Sequence, residues 1–423
     1  MHAVRNNFFQ KIPVNAGGGA SFLDDSRLKH AEFNYKFFNQ IKWAEIQVGG
    51  NLRQYDLFSS GTIFNEAPDD GVNFNRIKVN EFGAYTQIAK TIAEALKITG
   101  SIRYDKNENF DGHLTPRISA VYTFSNDQNI RASFQTGFRN PDTQALYIYF
   151  PSSSGTLLGS SKDNAQRYGV HEGGAWTQTS YNDFRANGGT LDPVTGDVRS
   201  GDISRLEEAY VDYVEPEQLQ SYEIGYKGLI ATKLLIDLNG YYTNYKNFIG
   251  SQIVAVKVGT THQGNPVPAG SLYSPYTNST ENVTSWGIGL GLSYSLPHNF
   301  ILNGNYNFAD YEATESVEFR AGFNTPENKF SVGLSNRKLT KNLGFNINYR
   351  YQDAFQWISS YGIWNVPAFG LVDAQINYKF SDLKTVVKIG GTNIGGGDYR
   401  TNFGSPFVGQ LYYLSLTFDE FFK

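Results

Sequence analysis

Polarity alternates from one residue to the next over stretches that are long for a β-strand. In 369–380 (FGLVDAQINYKF), Val372, Ala374, Ile376 and Tyr378 would share one face, while Asp, Gln and Asn residues lie between them. The stretch 342–352 (NLGFNINYRYQ) repeats this pattern. Strands of about ten residues with aromatic residues near the ends of the apolar face are typical of membrane-spanning barrels, whereas strands of soluble sandwiches usually have about five or six residues.

About fifteen such stretches are predicted as strands: 30–38, 42–57, 77–90, 95–105, 114–125, 129–138, 218–227, 233–245, 284–296, 299–310, 329–338, 342–352, 369–380, 383–394 and 408–418. The connections alternate between short turns and long loops, and the longest loops are 139–215 and 248–283. Short turns at one end and long loops at the other are typical of outer-membrane barrels. The fold class expected is therefore all-β, an antiparallel transmembrane β-barrel.

The pattern also predicts which side chains share a face. We expect Phe345, Ile347, Tyr349, Ile376, Tyr378, Leu414 and Leu416 to face lipid, and Asn346, Asn348, Gln375, Asn377 and Ser415 to face the lumen. Charged residues within the strands should also point inward, and they are Arg53, Arg103, Arg117, Arg131, Lys227, Arg350, Lys384 and Lys388. Their expected partners are Glu45, Asp105, Glu223 and Asp373.

Composition narrows the class of protein further. Aromatic residues make up 15% of the 423 residues, which suits the aromatic girdles of a membrane barrel. The net charge of −4 and the pI near 5.9 argue against nucleic acid as a partner.

The first residues lack the apolar core of a signal peptide, and an odd number of antiparallel strands cannot close on itself. We therefore expect a C-terminal portion of a larger barrel, with a loop at 1–27 and barrel strands within 28–423.

Several stretches resemble the TonB-dependent outer-membrane receptors, particularly those of the Bacteroidetes type. These stretches are GGASFLDDSRLKHAEFNYKF, VGGNLRQYDLFSSGTIFNE, RYDKNENFDGHLTPRISAVYTF, NIRASFQTGFRNPDTQALY, PEQLQSYEIGYKG and the closing TNIGGGDYRTNFGSPFVGQLYYLSLTF. The resemblance implies a 22-stranded barrel around an N-terminal plug, of which the plug and the first strands are not found here. The segment Asp419–Lys423 departs from the family because it extends past the terminal aromatic residue Phe418.

The resemblance also implies a function and partners. It implies TonB-dependent uptake of a scarce large solute, such as an iron chelate, cobalamin or a glycan, across the cell outer membrane. The partners implied are outer-membrane lipid, an extracellular ligand, the missing plug and strands, and TonB through that missing part. A passive porin-like channel and an outer-membrane adhesin or enzyme are the alternatives.

Motifs for catalysis and for metal or cofactor binding are missing from the sequence. There is no G-x-S-x-G, H-E-x-x-H or Walker motif, cysteine is absent, and the six histidines are scattered. The acidic stretch LDPVTGDVRSGD could hold calcium, but a solvated Asp/Gly turn explains it as well. No enzyme and no cofactor is expected.

Aromatic residues in the long loops are the candidate ligand contacts, because loops carry recognition and aromatic rings can stack on sugars or planar chelates. The candidates are Tyr147, Tyr149, Tyr168, Trp176, Phe355, Trp357, Tyr361 and Trp364. The alternative for each ring is local packing that holds a long loop together.

Overall fold

A single antiparallel sheet of fifteen strands dominates the part of the chain that the computed structural model describes, namely residues 22–37, 40–152, 154–313, 319–320, 322–359, 362–402 and 404–418. The strands are β1 (Arg27–Phe37), β2 (Glu45–Leu57), β3 (Ile77–Ile92), β4 (Leu96–Asn107), β5 (His113–Ser125), β6 (Gln128–Arg139), β7 (Glu217–Ile230), β8 (Leu234–Lys246), β9 (Val283–Ser295), β10 (Phe300–Glu312), β11 (Asn328–Asn336), β12 (Leu343–Gln352), β13 (Phe369–Phe380), β14 (Thr385–Thr392) and β15 (Leu411–Phe418). The antiparallel sheet of about fifteen strands predicted from the alternating pattern is confirmed.

Each strand pairs with its neighbours in sequence, from β1 at one edge to β15 at the other. Within the described residues no ladder joins β1 to β15, so the sheet is not closed. Several predicted boundaries were wrong by two or three residues; for example, β2 begins at Glu45 rather than at Lys42, β7 ends at Ile230 rather than at Lys227, and β15 begins at Leu411 rather than at Val408. Arg27 belongs to β1 rather than to the predicted loop.

The sheet presents one apolar face and one polar face, and its pairing register aligns both. Across β12 to β15, Phe345 pairs with Ile376, Ile376 with Ile389, and Ile389 with Leu414. On the opposite face Asn346 pairs with Gln375, which accepts a 2.9 Å hydrogen bond from the Tyr413 hydroxyl. The predicted division of residues between two faces is confirmed.

The apolar face is exposed to the surroundings. Ile347 is 48% exposed, Ile376 57% and Leu414 66%, and large apolar residues on the other strands are exposed in the same way. Soluble proteins rarely expose an apolar surface this extensive. No helix in the described part of the chain is long and apolar enough to cross a membrane.

Ion pairs join several of the charged residues on the polar face. Arg103 lies 2.5 Å from Asp105, and Arg350 donates a 2.8 Å hydrogen bond to Asp373, so both pairs join residues named from the sequence. Gly83 leaves room for the first pair, since a Cβ there would lie 2.2 Å from the Asp105 carboxylate. Arg131 instead pairs with Asp237 at 2.7 Å, a partner that the sequence did not suggest.

The two ends of the sheet differ as the sequence predicted. Short connections such as 93–95, 126–127 and 231–233 follow odd-numbered strands, and long connections such as 58–76, 140–216 and 247–282 follow even-numbered strands. Several short turns contain non-glycine residues with positive φ, including Ala231 (49°) and Thr232 (56°). A positive φ is costly for a β-branched residue, so this turn retains local strain.

The long connections are ordered, although the sequence predicted no elements in 139–215 or 248–283. They contain helices α1 (Thr143–Tyr147), α2 (Lys162–Tyr168) and α3 (Gln178–Ala186), and 3₁₀ turns at Ile203–Arg205 and, at the opposite end of the sheet, Pro297–Asn299. Short strands lie at Tyr149–Ser152, Gly155–Leu158, Ala175–Thr177, Thr190–Leu191, Val198–Ser200, Ile249–Gln252, Val254–Val256, Thr260–His262, Asn265–Val267, Leu272–Asn278, Phe319–Arg320, Phe355–Ser359 and Gly362–Val366. Asp142 caps α1 by accepting a 2.7 Å hydrogen bond from the Ala145 N–H.

Segments 58–76, 140–216 and 247–282 pack together into what we call the loop assembly. Its core consists of Tyr149, Leu158, Tyr168, Val170, Ala175, Ala209, Val211, Val254, Val256 and Tyr273. Within it, the strand Leu272–Asn278 pairs in parallel with Gly155–Leu158. Gly159 allows the chain to pass α1 closely, because a Cβ there would lie 2.4 Å from the backbone of Leu146. The fully buried large side chains are concentrated in this assembly rather than along the sheet.

Candidate ligand-binding cleft

The start of the longest connection lies against the polar side of the sheet. Arg139, the last residue of β6, forms a 2.7 Å ion pair with Glu217 at the start of β7. The Asn140 side-chain amide donates to Glu81 of β3 at 3.4 Å. Helix α1 follows at once, so its residues lie over the ends of β3 and β4 beside polar-face side chains.

An inner cavity of about 360 Å³ lies between α1 and the ends of β2, β3 and β4. Its polar lining includes Asn51, Arg53, Glu81, Asp105, Asn107, Asn140 and Asp142, and its apolar lining includes Val79, Phe138 and Leu146. Glu81 accepts a 2.7 Å hydrogen bond from the amide of the buried Asn107 and lies 4.0 Å from Arg53. The cavity is within the size range of small-molecule sites.

An outer cavity of about 780 Å³ adjoins it and shares Lys106 and Leu146 with the inner cavity. It is lined by the turn that follows β4, by the start of α2 and by residues 213–218. The two cavities form one cleft at the junction of the sheet and the loop assembly. The hydroxyl of Tyr147, a residue predicted from the sequence, donates to Asn109 in this turn at 3.0 Å.

Three buried polar atoms of cleft residues have no hydrogen-bond partner among the described residues: Asn140 Oδ1 in the inner cavity lining, and His113 Nε2 and Ser161 Oγ in the outer lining. A buried polar atom without a partner costs roughly 1–3 kcal/mol. All three groups are uncharged amide, imidazole or hydroxyl groups when the histidine is neutral.

Two of the predicted ligand contacts, Tyr149 and Tyr168, lie in the core of the loop assembly. The Tyr149 ring stacks on His262 at 3.5 Å, and the Tyr168 hydroxyl lies 2.6 Å from His262 Nδ1. Burial raises the pKa of Tyr168 and lowers the pKa of His262 to about 4. These contacts agree with the packing alternative, and ligand contact by these two rings stays a prediction.

The remaining predicted residues lie apart from the cleft. Trp176 stacks with Lys257, whose ammonium nitrogen is 3.9 Å from the ring centre. Phe355, Trp357 and Trp364 belong to a separate hairpin in which the two tryptophans pair across the strands. Tyr361 lies outside the described residues. Of the described candidates, Tyr147 therefore comes nearest to a cleft contact: it does not line either cavity, but its hydroxyl bonds to the lining residue Asn109.

The cleft residues could not be identified from sequence because no local pattern marks them. Asn140 and Ser161 lie in stretches without periodicity, and His113 is at a strand end. The sequence did place Arg53 and Asp105 on the inward face, and this was the signal that pointed to this region of the sheet. Among the described residues, no group of three or more His, Asp or Glu side chains is arranged to hold a metal ion.

Comparison with known proteins agrees with the fold. The FrpB iron transporter from Neisseria meningitidis (F3-3 variant) superposes with a TM-score of 0.61 at 13% identity, covering 93% of this chain and 55% of that one. The siderophore receptor PirA from Acinetobacter baumannii gives 0.59 at 14% identity, covering 93% and 55%. The copper transporter OprC gives 0.60 at 13% identity, covering 92% and 56%.

These structures show a shared fold, and this chain spans little more than half of their length. No curated protein sequence matches the chain. The family model described as "TonB dependent receptor-like, beta-barrel" matches residues 3–394. Because that match covers most of the chain and the sheet has the expected pattern, the chain belongs to the TonB-dependent receptor-like β-barrel family.

Proposed function

We propose that the chain is a barrel part of a Bacteroidetes-type receptor that takes up a scarce large solute across the outer membrane in a TonB-dependent manner. The observation that carries the proposal is the long antiparallel sheet whose apolar face is exposed and whose polar face is lined with ion pairs. Such a sheet suits lipid on one side and an aqueous lumen on the other. The similar structures named as iron, siderophore and copper proteins support transport.

The proposal includes an arrangement of parts. Residues 28–423 would be the C-terminal part of a 22-stranded barrel, and the remaining strands and the plug would come from elsewhere in the complete receptor. TonB would act through the plug, and the extracellular ligand, an iron chelate, cobalamin or a glycan, would bind from the loop side. Among the described residues no strand pairs with the outer edges of β1 and β15, and this supports the arrangement, because hydrocarbon cannot satisfy unpaired backbone groups.

The ordered loop assembly favours a receptor over a passive porin-like channel. Its core brings together segments from two connections, and its first helix lies beside polar-face residues of β3 and β4. A passive channel needs neither a folded loop layer nor a cleft beneath it. An adhesin or an enzyme is not favoured by any particular contact.

Cell fractionation tests the membrane location. Fused to an export signal and produced in a Gram-negative host, the chain should be recovered with outer-membrane markers and resist extraction by carbonate. Quantitative blotting of soluble and membrane fractions provides the measurement. Recovery in the soluble periplasmic fraction as a folded protein would contradict the proposal.

A further inference from the structure

Cations are concentrated at the end of the sheet where the short turns lie, opposite the loop assembly. We define this short-turn end as residues 36–45, 90–97, 125–128, 229–234, 295–300, 336–343 and 379–385. These segments carry ten Lys and Arg residues against four Asp and Glu residues, although the whole chain has a net charge of −4. The short-turn end is therefore a basic surface on an acidic protein.

Some of these cations are used within the protein, and others are available to an external anion. Lys36 and Lys97 pair with Glu45 at 3.7 and 3.1 Å on the polar face. Six others are exposed, and no ion pair joins them to a described residue: Lys42, Lys90, Lys233, Arg337, Lys338 and Lys341. These six side chains are the ones that can meet negative charge outside the molecule.

The turn between β11 and β12 holds the densest group of them. Arg337, Lys338 and Lys341 lie within five residues, and the turn contains no carboxylate. The buried Asn336 accepts a 2.8 Å hydrogen bond from the Lys338 N–H, and the Thr340 hydroxyl accepts another backbone hydrogen bond at 3.2 Å. The three cations are thus exposed on an ordered turn whose described hydrogen bonds do not involve their side chains.

Lys90 lies at the boundary between the apolar face and the short-turn end. It shares a face of β3 with the exposed residues Ile88 and Ile92, and its ammonium nitrogen is 5.7 Å from the centre of the Trp43 ring. A lysine beside an aromatic ring at the end of an apolar face is typical of the interface between hydrocarbon and headgroups. Exposed Leu339 gives the β11–β12 turn a similar combination. The basic surface is therefore continuous with the face that suits hydrocarbon.

The cations follow the sheet and do not gather in one pocket. Nine ladders separate β2 from β11, which at about 4.8 Å each is roughly 40 Å along the sheet. A single small anion cannot contact cations so far apart. A layer of headgroups around the strands reaches every turn, because each turn ends a hairpin that would cross the same bilayer.

We propose that the short-turn end binds the headgroups of anionic phospholipids, with the three cations of the 337–341 turn as the main contact. Lys42, Lys90 and Lys233 extend this contact along the sheet. The inference rests on the proposed function, because it names the class of lipid that meets the membrane-embedded sheet. The phosphate of such a lipid supplies the negative charge that the exposed cations lack. The short turns would then lie in the leaflet that contains these phospholipids.

Lipid retention by the purified full chain in detergent tests the proposal without requiring uptake. Equal amounts of phosphatidylglycerol, which is anionic, and phosphatidylcholine, which is zwitterionic, are added with matched acyl chains. The protein is then repurified, and its bound lipids are quantified by mass spectrometry. At about 0.05 M NaCl we expect about 5- to 10-fold enrichment of phosphatidylglycerol, the effect of one or two cations per lipid. At about 0.5 M NaCl the enrichment should fall to about 2-fold or less, because salt screens exposed charges.

Variants of the 337–341 turn locate the contact. Arg337→Gln/Lys338→Gln/Lys341→Gln removes half of the six exposed cations and should lower the enrichment to about 2-fold or less. The charge-conserving variant Arg337→Lys/Lys338→Arg/Lys341→Arg should keep the wild-type enrichment. Both variants should fold, since the hydrogen bonds of the turn come from its backbone, Asn336 and Thr340.

The matched control removes three cations from the opposite end of the sheet. Lys78→Gln/Lys246→Gln/Lys329→Gln changes the net charge by the same amount, and its three lysines are exposed without an ion pair to a described residue. This control should leave the enrichment unchanged. Equal retention of the two lipids by the wild type, unchanged enrichment in the neutral turn variant, or an equal loss in the control would overturn the lipid assignment.

Failure of the lipid assignment and failure of the proposed function are distinguishable. If the enrichment depends on the turn while transport by the complete receptor does not depend on TonB, the proposed function fails and the lipid assignment stands. If the chain retains both lipids equally while the complete receptor shows TonB-dependent uptake, the lipid assignment is overturned and the proposed function stands.

Discussion

Single residues on the two faces of β12 should respond very differently to charge. Ile347 is 48% exposed and pairs with Leu334 and Ala374 in an apolar row, whereas Asn348 lies on the polar face beside Asp373. Ile347→Arg should cost roughly 2–4 kcal/mol of folding free energy near the bilayer centre, and Asn348→Arg much less. Denaturant titration in lipid vesicles measures both, and equal costs would show that the faces are misassigned.

Protonation of His262 should loosen the loop assembly in acid. Burial lowers the pKa of His262 to about 4, with Arg167 contributing, from an ordinary value near 6.5. A lowered pKa means that the folded state binds the proton less tightly, so stability is present above pH 6.5 and is lost as the pH falls toward 4. Limited proteolysis of the loops should therefore be slow at neutral pH and faster near pH 5.

The variant His262→Phe separates the effect of histidine protonation on the loop assembly from the effect of ring packing. His262→Phe keeps a ring against Tyr149 and cannot be protonated, so the acid sensitivity should be smaller than in the wild type. His171, whose pKa burial also lowers to about 4, would account for the remainder. Unchanged acid sensitivity in His262→Phe would exclude His262 as a source.

At the scale of elements, the turn between β7 and β8 is a place where stability can be gained. Thr232 has a φ of 56°, and its hydroxyl bonds only to the adjacent Ala231 carbonyl among the described contacts. Thr232→Gly removes the clash of the β-branched side chain and should raise the unfolding free energy by about 1 kcal/mol. A chemical denaturation midpoint that falls would show that glycine's chain entropy outweighs the strain.

The loop assembly should behave as a separate packing unit. Leu158 is fully buried in its core, so Leu158→Ala should cost about 2–5 kcal/mol locally. Val194→Ala is the control, since Val194 is 70% exposed. Amide hydrogen exchange should accelerate in 149–175 and 254–273 and remain slow in β3 to β6; uniform acceleration would contradict separate packing.

The sequence predicted the strands well because alternation is a local signal. The predicted 114–125 became His113–Ser125, and the predicted 299–310 became Phe300–Glu312. The loop assembly was missed because its order is non-local: Thr156 pairs with Tyr273 across β7 and β8. The cleft was missed for the same reason, since Asn140 meets Glu81 only after the sheet aligns β3 with β6. Asp237, the carboxylate that pairs with Arg131, was not among the partners expected from the sequence, because the pairing register of strands cannot be read from composition.

At the scale of the whole molecule, the sheet is not closed within the described residues, and this affects what the chain can transport by itself. We expect that this chain alone gives no TonB-dependent accumulation of any candidate solute, because the proposed energy-coupling plug is supplied by another part of the receptor. The test is export of the chain in a receptor-deficient strain, followed by uptake of labelled ligand with and without TonB. Accumulation that disappears when TonB is deleted would overturn this expectation.

The strand order also predicts which parts of the molecule fold first. All ladders of the large sheet join sequence neighbours, so hairpins can form early, whereas the loop core joins Leu158 to Tyr273 across an intervening hairpin. Contacts that close a longer stretch of chain form more slowly. During refolding into vesicles, the strand signal in far-ultraviolet circular dichroism should therefore precede the aromatic signal of the loop core. The surface that meets the ligand would then be the last part of the molecule to mature.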